Sequence, residues 1–173
     1  MALGSRGVLG DPTTATAKSA LNAVKRRAWW RPVTPLVLEE HVGEWFEGGS
    51  PSPYALRSFP VLPHRRARIP AVPHLDGTAR VQTVNRAQNP ALHDLITAFH
   101  ARTGVPMLCG ASLNDTGEPV VDAVDRAIDF CLRRGIPVAY VNGQRVRLRR
   151  TASYLAGRQL AHSAAIDPIT VRE

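Results

Sequence analysis

The chain has 173 residues, 44% of them hydrophobic, and carries a formal net charge of +8 from 22 lysines and arginines against 14 acidic residues. This length and composition predict a folded domain with its own core and exclude a disordered chain. No apolar run approaches the roughly 18 residues of a membrane helix, and residues 1–10 lack the apolar segment of a signal peptide, so we expect a cytoplasmic protein with no membrane partner. The excess positive charge favours anionic partners: nucleotides, phosphates, RNA or an acidic protein surface.

The first half of the chain is predicted to contain short elements separated by prolines and glycines. Residues 1–12 are interpreted as an arm or linker. A helix is predicted to begin near Thr13 or Thr14 and to reach Ala28, because its apolar residues recur with the helical period, and Pro32 ends it. The elements predicted after it are an apolar run at 35–38, a short helix or turn at 39–46, a strand at 54–62, an exposed loop at 63–73 and a strand at 78–84.

The second half contains the clearest helix, which is predicted to begin at Pro90 and to end at Gly104. Asp122 is predicted to cap another helix, which ends at Gly135, and the Asn-Gly pair at 142–143 is typical of a tight turn between two strands. The remaining predicted elements are strands at 105–109, 137–141 and 144–150, a loop at 110–119, and a helix with a frayed tail at 151–173. Because strands alternate with helices, the predicted fold class is α/β.

A basic segment after the first helix is the first candidate binding site. Lys25, Arg27 and Arg31 lie close together in the sequence, and Pro32 makes the segment more rigid. Guanidinium groups match phosphate oxygens and a lysine supplies a mobile point charge, so the segment could hold a polyphosphate. A solvated helix end explains the same residues, because cations are favourable near a helix C-terminus.

A second candidate lies just before and along the strand predicted at 78–84. A period of two places Arg80 and Gln82 on the same face of this strand, and His74 and Asp76 precede it. Such a face can line a pocket at the surface of a sheet. The alternative is an Asp-Gly turn followed by an ordinary polar strand face.

The third candidate is the loop predicted at 110–119, between a buried strand and a helix, where α/β proteins bind ligands. Its small residues allow the backbone to approach a phosphate, while Ser112 and Asn114 supply a hydroxyl and an amide. The Gly-Lys-Ser/Thr of a P-loop is absent from this segment, and a plain loop explains the same composition.

Several other residues have simpler explanations. Cys109 and Cys131 are predicted to be buried thiols, because two cysteines are too few for a disulfide framework or an evident zinc site, and no metal site is predicted. His93 and His100 are interpreted as surface residues. The arginines between 145 and 150 could contact RNA phosphates, but a basic edge strand protected from aggregation explains them equally well.

In order and spacing, these segments resemble the C-terminal region of the carbamoyltransferases that modify antibiotics and nodulation factors. The most specific likeness is IPAV at 69–72 followed by HLDGTARVQTV at 74–84, which is similar to the family's I-P-A-V-x-H-x-D-G-T-A-R-x-Q-T-V. The other similar segments are ALGSRGVLGDP at 2–12, LNAVKRR at 21–27, WRP at 30–32, SPY at 52–54, and TGVP to GEPVV within 103–121. The resemblance runs from residue 2 to about residue 147.

This resemblance implies a YrdC-like fold, which is a twisted mixed sheet flanked by helices in a single domain. It implies an arm or linker at 1–14, a domain for the nucleotide and carbamoyl phosphate at 15–150, and a C-terminal helix and tail at 151–173. In the family, this domain is taken to combine ATP with carbamoyl phosphate into carbamoyl-adenylate. A separate sugar-kinase-like, metal-containing domain then passes the carbamoyl group to an alcohol.

The resemblance also implies ATP and Mg²⁺ as cofactors and catalytic roles for Lys25, Arg80 and His74. Lys25 would neutralise phosphates, Arg80 would lie on the charge that develops between the two reactants, and His74 would position the carbamoyl group. The residues implied to bind the phosphates, the nucleotide or the Mg²⁺ shell are Arg27, Arg31, Gln82, Ser112 and Asn114. Because two anions must be joined, positioning and charge neutralisation are expected to dominate.

The chain departs from the family pattern in three places. Gly110-Ala111 stands where the family has Asn-Thr, so an amide and a hydroxyl are missing just before Ser112. Val33-Thr34 replaces Phe-Ala beside the basic segment. The resemblance also begins inside a family motif, and we expect the transferase half, with its metal-binding histidines, to lie on a separate chain.

We therefore expect one subunit of a split, hetero-oligomeric carbamoyltransferase that serves antibiotic biosynthesis. Its partner would be a sugar-kinase-like large subunit that buries a Trp-rich or N-terminal surface. A sealed path between the subunits is expected, because carbamoyl-adenylate hydrolyses in water. The alternatives are a non-catalytic scaffold, an RNA-binding module, which is the weaker expectation, and a threonylcarbamoyl-adenylate synthase, which the strand motif around Arg80 fits less well.

Overall fold

A five-stranded mixed sheet organises the first part of the chain in the computed structural model, which describes residues 3–150. The chain divides into two units, Met1–Val120 and Val121–Glu173. The strands of the first unit are β1 (Gly7–Gly10), β2 (Thr34–Leu38), β3 (Arg57–Pro60), β4 (Thr78–Val84) and β5 (Met107–Ser112). Its helices are α1 (Thr16–Val24), α2 (Pro90–Thr103) and two short 3-10 helices, Glu39–Glu44 and Pro63–Arg68.

The strand order in this sheet is β1-β5-β2-β4-β3. β2 and β4 are parallel neighbours, whereas β1 with β5, β5 with β2, and β3 with β4 are antiparallel. The parallel pair requires a crossover connection, and α2 then carries the chain from β4 to β5. The predicted α/β class, with a mixed sheet flanked by helices, is confirmed, and the domain limits predicted at residues 14 and 150 stay a prediction.

The N-terminal segment requires a correction. Residues 1–12 were expected to be an arm or linker, but Gly7–Gly10 forms the edge strand β1, which runs antiparallel to β5. Two of its four residues are glycines, which are poor strand formers, and its partner Ser112 is distant in the sequence. Local patterns therefore do not indicate this strand.

The first helix is shorter than predicted. It ends at Val24 rather than Ala28, because Arg26 adopts a left-handed backbone conformation with a φ of 47°. Its N-terminus has no side-chain cap. The hydroxyl of Thr13 instead donates to the Asp11 carboxylate at 2.6 Å, which forms a turn before the helix.

Both faces of the sheet carry buried apolar side chains. One face packs against α1 and the segments around Trp45 and Ile69, both of which are buried. The opposite face is covered at one end by α2, where Ile96 is fully buried. The buried residues of this second cluster are Leu36, Leu38, Val84, Leu92, Ile96 and Leu108.

We expect Ile96→Ala to lower the free energy of unfolding by about 2–5 kcal/mol, because it leaves a cavity between α2 and the sheet. Leu95→Ala is the matched control on the same helix, since Leu95 is 48% exposed, and should change the free energy by less than about 0.5 kcal/mol. Urea unfolding followed by circular dichroism measures both. Equal losses in the two variants would contradict this packing of α2.

The second helix begins and ends where the sequence predicts. Asn89 caps it by accepting a hydrogen bond from the backbone N of Leu92 at 3.2 Å, and Gly104 ends it with a φ of 69°. The surface prediction for His93 is wrong, since the residue is buried. Its Nε2 lies 2.8 Å from a carboxylate oxygen of Glu40, a long-range contact that the helical pattern does not reveal.

The second unit contains one helix and one hairpin among its described residues. The Asn-Gly turn at 142–143 is confirmed, with φ angles of 49° and 80°. The capping prediction for Asp122 is wrong, because its carboxylate lies 3.3 Å from Arg126 and the residue at the N-cap is Ala123. The elements are α3 (Val124–Arg134), β6 (Val138–Val141) and β7 (Gln144–Arg147).

The helix and tail predicted at 151–173 lie outside the described residues. Within residues 3–150, no helix combines the length and the apolar character that are needed to cross a membrane.

Candidate functional site

A cavity of about 300 Å³ lies on the face of the sheet that α2 covers only in part. At one end of this face, Leu38 and Val84 pack in the α2 cluster. At the other end, the paired residues Thr34 and Gly110 carry little side-chain volume, so the sheet surface stays open. The lining residues are Leu3, Gly4, Gly7, Leu9, Arg27, Pro32, Thr34, Leu36, Ala55, Arg80, Gln82, Gly110, Ala111, Ser112 and Val120.

Strand β4 supplies two polar side chains to this cavity, as its period of two predicts. Arg80 and Gln82 line the cavity, whereas Ala79 and Val81 are fully buried on the opposite face. The Arg80 side chain is exposed and has no hydrogen-bond or ion-pair partner within residues 3–150. The Gln82 amide is largely buried and also lacks a partner in that part of the chain. Both groups therefore keep hydrogen-bonding capacity for a ligand.

Arg27 brings a second guanidinium group to the cavity from the basic segment after α1. Its Nε donates to Asn22 Oδ1 at 2.6 Å, and a terminal nitrogen donates to the carbonyl of Pro32 at 3.0 Å. Burial lowers the pKa of Arg27, and the positive charges of Arg31 and Arg80 lower it further. Among the described lining residues there is no aspartate or glutamate, so the positive charge is available to an anion.

Lys25 does not belong to the cavity lining but binds the segment that carries Ser112. Its side chain is 7% exposed, and Nζ donates to the carbonyl of Ser112 at 2.7 Å, to Asn114 Oδ1 at 2.8 Å and to the carbonyl of Asn114. The Ser112 hydroxyl donates to the same Asn114 Oδ1 at 2.6 Å, and Asn114 Nδ2 donates to the carbonyl of Glu118 at 2.8 Å. One ammonium group and one amide thus hold the end of β5 and the turn after it.

The third candidate segment also requires a correction. Residues 110–119 were expected to be a loop, but β5 extends through Gly110 and Ala111 to Ser112. Gly110 therefore forms part of the cavity floor in a strand, where a Cβ atom would lie 3.1 Å from Leu36 Cδ1.

Four of the eight predicted site residues are absent from the described cavity lining. Two of them, Lys25 and Asn114, contact Ser112, which lines the cavity; the other two are Arg31 and His74. Arg31 is exposed and acts on the cavity through its charge on Arg27. His74 is part-buried, its Nδ1 lies 3.1 Å from Thr78 Oγ1, and its Nε2 is buried with no partner within residues 3–150. Burial lowers the pKa of His74, which favours a neutral imidazole near pH 7, although the charge of Asp76 opposes this shift.

Asp76, which the sequence groups with His74, serves the turn before β4. Its carboxylate accepts hydrogen bonds from the backbone N of Thr78 at 2.9 Å and from the Thr78 hydroxyl at 2.8 Å. These bonds lower the pKa of Asp76. The structure thus brings four of the predicted residues to the lining of one cavity: Arg27, Arg80, Gln82 and Ser112. Lys25 and Asn114 contact Ser112.

Sequence reasoning missed the apolar wall of the cavity. Leu3, Gly7 and Leu9 come from the segment predicted to be an arm, and Ala55 comes from the turn before β3. These residues carry no polar group that could have marked them. The pairing of β1 with β5, which joins distant parts of the chain, places Gly7 and Leu9 there.

The residues of the cavity do not form a magnesium site by themselves. Mg²⁺ prefers oxygen ligands, above all carboxylates and phosphates, and the described lining contains no carboxylate. Within residues 3–150, no group of three histidine, cysteine, aspartate or glutamate side chains could hold a metal ion. A Mg²⁺ ion at this cavity would therefore depend on oxygen ligands supplied by a bound molecule.

The two cysteines are buried, as the sequence predicts, and we expect neither to react quickly in the folded protein. Burial and, to a lesser extent, Asp11 raise the pKa of Cys109 to about 12, and burial also raises the pKa of Cys131. The nucleophilic thiolate is therefore scarce at pH 8. A thiol reagent should label neither cysteine in the native protein and both in urea. Rapid labelling of the native protein at this pH would contradict the burial.

Comparisons with known proteins agree on one family. A family model described as the carbamoyltransferase C-terminus matches residues 1–147. The chain is 43% identical over 156 residues to nodulation protein NolNO of Sinorhizobium fredii, covering 88% of this chain and 23% of the relative. It is 38% identical over 139 residues to the 3'-hydroxymethylcephem-O-carbamoyltransferase of Amycolatopsis lactamdurans, covering 78% of this chain and 26% of that enzyme. The chain thus spans about a quarter of the length of these curated relatives.

Proposed function

This chain belongs to the family of carbamoyltransferase C-terminal regions, and from this premise we propose that it combines ATP with carbamoyl phosphate into carbamoyl-adenylate. The observation that carries the proposal is the charge of the cavity: its described lining contains no aspartate or glutamate, and Arg27 and Arg80 bring positive charge to it. Two polyanions repel one another in water, and fixed guanidinium groups lower the cost of bringing them together. A cavity of this size lies at the lower end of the range of small-molecule sites, roughly 300–1,000 Å³.

The proposed reaction has two steps. Carbamoyl phosphate loses its phosphoryl group to water as orthophosphate, which leaves carbamate. A carbamate oxygen then attacks the α-phosphorus of ATP, the bond to the β-phosphate oxygen breaks, and pyrophosphate leaves. The product is carbamoyl-adenylate. Each turnover therefore releases one orthophosphate and one pyrophosphate, and both can be measured.

Within this proposal, each group has a physical role. Arg80, which has no protein partner among residues 3–150, takes the charge that develops between the reactants. Arg27 neutralises phosphate oxygens, and the Gln82 amide supplies a neutral donor and acceptor. Lys25 holds Ser112 in place and contributes positive charge behind it. We propose that Asn114 supports the binding of phosphate oxygens, that Arg31 adds positive charge near the phosphates, and that His74 positions the carbamoyl group.

We further propose that a partner takes the activated carbamoyl group, as a sugar-kinase-like large subunit or domain of a cytoplasmic carbamoyltransferase. Carbamoyl-adenylate is unstable in water, so an unshielded product would be lost. The chain corresponds to about a quarter of its curated relatives, one of which is named for carbamoyl transfer to 3'-hydroxymethylcephem. The proposed acceptor is accordingly an alcohol of a natural product. Trp29 and Trp30, which are 70% and 49% exposed, are proposed as part of the docking surface.

The test mixes the purified chain with ATP, Mg²⁺ and carbamoyl phosphate and follows pyrophosphate and orthophosphate, with and without the candidate partner. We expect pyrophosphate only when carbamoyl phosphate is present, and more of it with the partner. Omitting carbamoyl phosphate is the control for simple ATP hydrolysis. No nucleotide binding and no turnover under either condition would contradict the proposal.

The alternative is a module that binds without catalysing, and one observation favours it. Gly110 contributes no polar side chain to the cavity, where the family has an asparagine. A scaffold would show no turnover but would bind the partner, and an RNA-binding module would bind RNA with a steep dependence on salt. Loss of nucleotide binding in Arg80→Ala, with RNA binding unchanged, would favour the enzyme.

A further inference from the structure

Asn22 occupies an unusual position for a polar side chain. It lies in the last turn of α1, is 1% exposed, and has every polar function of its amide engaged. Nδ2 donates to the carbonyl of Trp29 at 2.7 Å and to that of Arg31 at 3.0 Å. Oδ1 accepts the hydrogen bond from Arg27 Nε at 2.6 Å. The side chain thus ties three residues of the basic segment to the helix that precedes it.

This set of bonds requires an amide. The segment after α1 forms no regular element until β2, so the carbonyls of Trp29 and Arg31 receive their hydrogen bonds from a side chain rather than from a helix or strand. An asparagine side chain offers two donors and an acceptor in one short group. An aspartate would turn an acceptor toward the carbonyls of Trp29 and Arg31, and an alanine would leave them without these donors.

The geometry at Arg27 gives the amide a role beyond packing. Asn22 holds Nε, and the carbonyl of Pro32 holds one terminal nitrogen, Nη2. The other terminal nitrogen, Nη1, has no partner within residues 3–150 and belongs to a side chain that lines the cavity. The positive charges of Arg31 and Arg80 repel this guanidinium, and its two acceptors oppose that repulsion by fixing Nε and Nη2 in place.

We propose that Asn22 is a positioning residue that acts through Arg27, by fixing one free N–H edge of its guanidinium toward an anion in the cavity. The identity of that anion as a phosphate of ATP or carbamoyl phosphate rests on the function proposed above. The positioning itself rests on the hydrogen bonds and can be measured without any ligand.

The first measurement is the Arg27 Nε–H resonance in the ligand-free protein. In the wild type this proton is hydrogen-bonded, and we expect slow exchange with water. In Asn22→Ala we expect fast exchange, because the acceptor is gone. Asn22→Asp keeps an acceptor and should keep the proton protected, so it serves if the alanine variant does not fold. The proposal would be overturned if the Arg27 Nε–H exchanged fast in the wild type. It would also be overturned if exchange stayed slow in Asn22→Ala or became fast in Asn22→Asp.

The second measurement is a double-mutant cycle with inorganic pyrophosphate as the probe, titrated by calorimetry. We expect Asn22→Ala to weaken pyrophosphate binding about tenfold, the size of one lost hydrogen bond to a charged group. In an Arg27→Ala background the same change should have no further effect, because Asn22 acts through Arg27. Additive losses would show a purely structural role and overturn the proposal.

Asn89→Ala is the matched control, because Asn89 also serves the backbone at a helix end but does not contribute to the basic segment. It should reduce stability and leave pyrophosphate binding unchanged. If the wild type fails to bind pyrophosphate at all, the proposed function fails, while the Nε–H exchange still decides whether Asn22 positions Arg27.

Discussion

We expect Arg80→Ala to reduce the release of pyrophosphate from ATP and carbamoyl phosphate by at least about 100-fold, with little change in stability. Removal of one preorganised donor to developing charge typically has an effect of this size. The side chain is exposed and makes no hydrogen bond or ion pair within residues 3–150, so its loss breaks no contact that the folded chain depends on. The free energy of unfolding should therefore change by less than about 0.5 kcal/mol.

Two further variants sharpen this test. Arg80→Lys keeps the charge but loses the fork of N–H donors, so it should recover only part of the activity. Arg86→Ala is the matched control, because Arg86 is exposed and lies just after the same strand. It forms an ion pair with Asp94 at a distance of 3.3 Å, and neither residue lines the cavity. Full turnover in Arg80→Ala, or equal losses in Arg80→Ala and Arg86→Ala, would show that this cavity is not where the reactants meet.

Elements defined by a local period or a local cap are the ones that the sequence predicts well. The limits predicted for β4 agree with the structure, and its alternation correctly assigns Arg80 and Gln82 to one face. The limits of α2 follow from Pro90 at its first turn and Gly104 after its last. Each of these features depends on residues a few positions apart, which a single sequence displays directly.

Features that depend on distant partners are the ones that the sequence does not predict. Strand β1 exists because Gly7–Gly10 pairs with β5, and nothing local distinguishes that segment from a linker. His93 shows the same limit, since this buried residue contacts Glu40, which lies outside its own helix. The contact of Lys25 with Ser112 also joins residues that are far apart in the chain. Periodicity carries no information about such contacts.

The structure also gives physical meaning to the departure at Gly110. Because β5 extends through this residue, its missing side chain leaves the floor of the cavity bare between Leu36 and Leu9. If the cavity binds an anion as proposed, Arg27 and Arg80 must supply the recognition, because Gly110 contributes no side chain.

The second large effect is expected for Lys25→Met, which keeps most of the aliphatic stem and removes the ammonium group. Three oxygens of Ser112 and Asn114 then lose a charged donor in a nearly buried site. We expect the free energy of unfolding to fall by about 1–3 kcal/mol, the cost of leaving such groups without a donor. Turnover should be lost as well, because Lys25 no longer fixes the Ser112 carbonyl or the Asn114 amide to which the Ser112 hydroxyl donates.

Lys18→Met provides the matched control for this variant, since Lys18 lies on the same helix and its Nζ donates to a single carbonyl, that of Pro73, at 3.0 Å. Hydrogen exchange followed by mass spectrometry should show faster exchange over residues 112–118 in Lys25→Met and no change there in Lys18→Met. If Lys25 acted only as a phosphate ligand, exchange in this segment would be unchanged in the ligand-free protein while turnover still fell. The two measurements together therefore separate a residue that binds the substrate from one that holds the segment beside it.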